Sequence, residues 1–160
     1  MNKQGILDKI IPHLSLMENV CLTGMTLGII FLLLNISDQV LQMSLAGIAI
    51  IYFLMAFKPL NIPRNENDKF EFKDLLALVI VPKVLWIFTA VSAFGLFVFM
   101  LHLGNQGYKS ALFNGATGIG FCCGVMIYAA ITGTKNLKYL TPILIRSVPL
   151  ALADLFILYY

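Results

Sequence analysis

A chain of 160 residues that is 59% hydrophobic and 12% charged, with a net charge of +3, lies far from the roughly 45–50% apolar and about 25% charged make-up of a soluble domain. Its mean hydropathy of +0.88 places it in a lipid bilayer. Subtracting several spans of about 20 residues leaves short loops and no separate extramembrane domain, and the 11 Lys and Arg residues, scattered between apolar runs, exclude a nucleic-acid-binding face.

In chain order, residues 1–15 read as an amphipathic N-terminal segment. The first apolar run starts at Leu16, carries Glu18 and continues to Leu34 without a small-residue exit. It is therefore expected to stay in the mature protein as a span and not to leave as a signal peptide. Four segments are long and apolar enough to cross a bilayer: 16–35, 40–57, 84–103 and 111–133. Each is expected to be helical, because lipid leaves no partner for an open backbone and the alternating pattern of a barrel strand is missing. The short tips Ile36–Gln39 and Gly104–Ser110 predict an all-α integral membrane protein with four transmembrane helices in two tandem parallel hairpins, 16–57 and 84–133.

Between the hairpins, residues 58–83 form a linker with a surface helix. It concentrates the charge: Lys58, Arg64, Glu66, Asp68, Lys69, Glu71, Lys73 and Asp74, with Lys83 just beyond. The tips hold only Asp38 and Lys109. The positive-inside rule then puts the N-terminus, the linker and Lys135–Lys138 in the cytoplasm. The last segment, 139–160, contains Pro142, Arg146, Pro149 and Asp154. On a helical wheel Arg146, Ser147, Leu150 and Asp154 share one side, which must avoid lipid. Two outcomes stay open for it: a helix packed on or partly into the bundle, or a fifth span.

The hairpins also look like copies. Aligning Gly28 with Gly95, and inserting one residue at the tip, puts Gly47 on Gly115. Ile10-Ile11-Pro12-His13 and Val79-Ile80-Val81-Pro82-Lys83 precede the two hairpins alike, and each proline is expected to break a surface helix where it turns into the bilayer.

The stretch L-T-G-M-T-L-G-I-I-F-L-L-L-N (22–35), a short tip and S-L-A-G-I-A-I-I-Y-F-L-M-A-F-K-P (44–59) resemble the two-span hairpin of GldL. That protein is a motor subunit of gliding motility and type IX secretion in Bacteroidota. The shared features are a Gly before the tip, a Gly early in the second span and the Ala56-Phe57-Lys58-Pro59 exit. The resemblance implies a shared hairpin scaffold and a Bacteroidota source, and the expected location is a bacterial inner membrane. The resemblance does not extend to the family's membrane carboxylate, whose nearest position here is Ile48, nor to its long cytoplasmic tail.

Chemistry is sparse. Gly118-x-Gly120 is followed by Gly124 in the wrong register for a dinucleotide loop and sits inside a span. Gly24 and Gly28, and Ala116, Gly120 and Gly124, instead make small-xxx-small steps, with Gly133 further on. Together with Gly47 and Gly115 they predict close helix packing, within the chain or against a partner. Cys122 and Cys123 point about 100° apart on a helix and cannot easily share a metal. No metal site or cofactor is expected. The candidate intramembrane charges are Glu18, Lys83, Arg146 and Asp154, with a structural Glu18–Lys83 ion pair the favoured arrangement. No nucleophile–base or paired-carboxylate constellation points to an enzyme. The expectation is a small membrane subunit or scaffold, with the bilayer and other membrane subunits or a second copy as partners; the alternative is a small-solute or proton transporter using the four charges.

Overall fold

The computed structural model describes residues 10–59, 72–101, 107–134 and 137–160. The start of the amphipathic N-terminal segment, the linker charges Arg64, Glu66, Asp68, Lys69 and Glu71, the side chain of Lys73, most of the second tip and Lys135 lie outside these residues.

Among them every regular element is a helix, and there is no strand. Five long helices follow one another: α1 (Leu14–Leu33), α2 (Gln39–Met55), α3 (Val81–Met100), α4 (Gly107–Ile131) and α5 (Thr141–Tyr159). Ile11–Leu33, Leu76–Met100, Gly107–Ile131 and Thr141–Tyr159 are long and apolar enough to cross a membrane, while Gln39–Met55 is apolar but shorter. The last segment thus supplies one of the four helices long and apolar enough to cross a membrane. Pro149 lies inside α5 without ending it.

Pro82 does not break its helix either. It stands in the first turn of α3, directly after a π-helical stretch, Leu76–Ile80, that continues from the short helix Phe72–Leu75. The Val81 N–H bonds to the Leu76 carbonyl, five residues back. A proline cannot supply the usual bond to the residue four back, and a π turn absorbs that mismatch without ending the helix.

Two helix ends turn the chain by the same device. Asn35 (φ +53°) follows α1, and Gly133 (φ +81°) follows α4. Ile36 N–H reaches the Phe31 carbonyl at 2.9 Å, and Thr134 N–H reaches that of Ala129 at 3.0 Å. These are left-handed caps of the Schellman type. Gly133, read from sequence as a packing residue, is therefore a terminator of α4.

The core divides between the two ends of the bundle. At one end Leu14, Met55, Ala56, Leu78, Val81, Leu140 and Ile143 belong to one buried cluster. At the other, Leu41, Leu45, Leu96 and Leu112 are buried together, with Ile157 and Leu158 packed against them. Helix α5 therefore runs from one end to the other alongside α3. Close glycine contacts set the neighbouring pairs. A Cβ on Gly28 would lie 2.6 Å from the Leu41 nitrogen, one on Gly47 2.7 Å from Cys21 Sγ, and one on Gly115 2.8 Å from Ser92 Cα. Gly95 meets Leu112 in the same way, about one turn beyond the position the internal alignment would give, Lys109. The second tip is longer than the first, and the contacts do not repeat in register.

Candidate functional site: a buried polar track beside α5

Apolar helices that pack on one another bring their few polar groups inward, because an unpartnered polar group facing hydrocarbon is costly. Apart from Ser44 and Thr134, the buried polar side chains among the described residues fall into three levels along α5.

At the first level Glu18 of α1, only 1% exposed, pairs with Arg146 of α5, which is 31% exposed. Arg146 Nε donates to Glu18 Oε1, Nη2 donates to Oε2 at 3.2 Å, and Nη1 donates to the Pro142 carbonyl at 2.8 Å. This fork matches the carboxylate geometry, and a guanidinium keeps its charge in any setting. The Tyr52 hydroxyl of α2 faces the Glu18 carboxylate, and the Tyr52 ring lies 5.0 Å from that of Trp86 on α3. The expected Glu18–Lys83 pair does not form. On α3 the buried positions include Val81, Pro82, Leu85 and Trp86, so Lys83 falls on the opposite, exposed side.

The second level joins α3 to α5. Thr89 Oγ1 and Ser147 Oγ are 2.7 Å apart, and both residues are 0% exposed. Thr89 also meets the Leu85 carbonyl at 2.7 Å and Ser147 that of Ile143 at 2.9 Å. Two hydroxyl protons serve three contacts, so at any instant one of them carries no proton.

The third level is Ser92 of α3 and Asp154 of α5, each 0% exposed and facing one another. Ser92 Oγ and both carboxyl oxygens of Asp154 are buried without a hydrogen-bond partner among the described residues. Asp154 follows Ser147 by about 10 Å along the helix axis.

The wheel of the last segment anticipates this side of α5: Ser147 and Asp154 are buried, and Arg146 and Leu150 half-buried. Sequence reading missed Tyr52, Thr89 and Ser92. The signal for the last two was a Thr and a Ser three apart in an apolar span, on the face of Leu85 and Leu96. It also missed Gly118, which faces the Phe88 ring closely.

The other packing candidates separate into two groups. Gly24 abuts Ser44 Oγ and Ala116 is buried, alongside Gly28, Gly47 and Gly115. Gly120 and Gly124 have nothing of their own chain within 4 Å, so they do not hold the bundle together. They share an exposed face of α4 with Asn114, Thr117 and Phe121. Cys21, Cys122 and Cys123 are free thiols, and no group of three metal-ligating side chains occurs among the described residues. Ile48, at the place of the carboxylate in the hairpin resemblance, is 1% exposed in the apolar core. Compared with known proteins, the chain matches no family model, no curated protein and no solved structure.

Proposed function

We propose that this protein is an integral-membrane subunit or scaffold of a larger membrane assembly. Its two helical hairpins and α5 cross a bacterial inner membrane, with the N-terminus and the central linker in the cytoplasm. One observation carries the reading: α4 turns Gly120 and Gly124, with Asn114 and Thr117, away from its own chain. Small residues on a lipid-facing helix allow close backbone approach by another helix, and Asn and Thr add hydrogen bonds there. Native purification in mild detergent should recover a stable partner or oligomer. Gly120→Leu and Gly124→Leu should release it while the bundle still unfolds at the wild-type temperature. An assembly that survives both changes, or a chain that is monomeric in the membrane, defeats the proposal.

A second reading, passage of a small solute or protons, is favoured by the polar track from Glu18–Arg146 to Ser92–Asp154. Its test is flux in proteoliposomes that Asp154→Asn abolishes. Lys83, exposed on α3, plays no part in that track.

A further inference from the structure

The Ser92–Asp154 level differs from the other two in one respect: its groups do not satisfy one another. The charged residues nearest along the track, Glu18 and Arg146, neutralise each other. Leu41, Leu45, Leu96 and Leu112 form an apolar cluster at this end, with Met25, Tyr108, Ala153 and Ile157 packed against it, while the polar groups of the tip, Asp38 and Gln42, bond to each other and Gln42 to the Met100 carbonyl. Ser92 is the polar side chain that bears on the Asp154 carboxyl.

A buried carboxylate needs a counter-charge, and a hydroxyl or a water molecule solvates it without neutralising it. A divalent ion would leave a net positive charge in an apolar interior that offers it one carboxylate. A single positive charge closes the balance, and three unpartnered oxygens are placed to receive it. We propose that Asp154 and Ser92 form a binding site for one monovalent cation, a proton or a sodium ion, held between α3 and α5. Ser92 Oγ accepts a hydrogen bond from the protonated, neutral carboxyl group or, in the sodium form, lends its oxygen as a ligand beside the two of Asp154. The site is independent of flux: binding without transport leaves the subunit reading intact.

The test is thermal unfolding of the full chain in detergent. In one arm pH is varied between about 5 and 8 in sodium-free choline chloride; in the other, NaCl replaces choline chloride at fixed pH. A ligand that binds only the folded state raises the unfolding temperature by a few degrees per tenfold increase above its Kd. The wild type is expected to respond in one arm, to acid for a proton site or to NaCl for a sodium site. Asp154→Asn should be flat in that arm, and Ser92→Ala should respond only at higher ligand concentration. A wild type that responds in neither arm, or an Asp154→Asn variant that responds as the wild type does, overturns the site. Should Asp154→Asn fail to accumulate, Asp154→Leu, which removes the carboxyl group without leaving a polar group in the apolar interior, takes its place in the same two arms. An Asp154→Leu variant that responds as the wild type does overturns the site.

Discussion

Two carboxyl groups are buried against α5, and the helix supplies a counter-charge to only one of them. Glu18 meets the Arg146 fork and the Tyr52 hydroxyl; Asp154 meets a serine. The first carboxylate has its charge fixed by the fold and acts as a clamp between the first and last helices. The second has a charge that depends on what binds it. Burial alone therefore says little about the role of an acidic residue in a bundle of apolar helices, whereas the identity of its neighbour says a great deal.

The sharpest way to break this contrast is Arg146→Leu, which leaves Glu18 with the Tyr52 hydroxyl alone, as Asp154 is left with Ser92. Removing one partner of a buried ion pair costs about 3–5 kcal/mol, so the variant should unfold far earlier in a thermal melt. Glu18→Leu in the same chain should recover most of that loss, since replacing both charges by apolar groups is often neutral. Failure of the double variant to recover would mean that the pair contributes through its specific geometry.

A smaller effect comes from pressing on the other carboxyl. Gly115→Ala would set a methyl group 2.8 Å from Ser92 Cα, and over-packing of this kind costs about 1–3 kcal/mol. Because Ser92 moves with it, the ligand response of Asp154 should shift while the Glu18–Arg146 pair stays in place. A stability loss with an unshifted response would separate packing from the site.

Ser147→Ala tests the level between the two carboxyls. Thr89 keeps the Leu85 carbonyl as its acceptor, so the loss should stay within the roughly 0.5–1.5 kcal/mol of one hydrogen bond. A larger loss, read in the same melts, would show that the levels act as one network. Smallest of all is Gly120→Leu, expected to change the unfolding free energy of the chain itself by no more than about 0.5 kcal/mol, because nothing of its own chain is near.

The helices were legible because long apolar runs without turn residues must satisfy their own backbone hydrogen bonds: the runs around Leu16–Leu34, Val84–Leu103 and Ala111–Gly133 match α1, α3 and α4 to within a few residues. The prolines were harder to read. Pro82 and Pro149 look like breaks in a sequence, yet a π turn takes up the first and α5 carries the second. For the glycines, spacing showed that α4 has a small-residue side without showing which neighbour occupies it. Gly115 and Gly118 pack on α3, and Gly120 and Gly124 face away.

By itself the sequence determined an all-helical chain with long apolar helices and placed four ionisable residues among them, because run length fixes the helices and single charges stand out within apolar runs. Only the tertiary structure decided that Glu18 belongs to Arg146 and not to Lys83, and that Asp154 is left with Ser92. Those choices depend on how α5 lies along α3 and α4 and reaches α1 through Arg146, a contact with Glu18 between residues more than a hundred positions apart. No local pattern encodes such a contact, because it is set by the packing of helix faces in three dimensions.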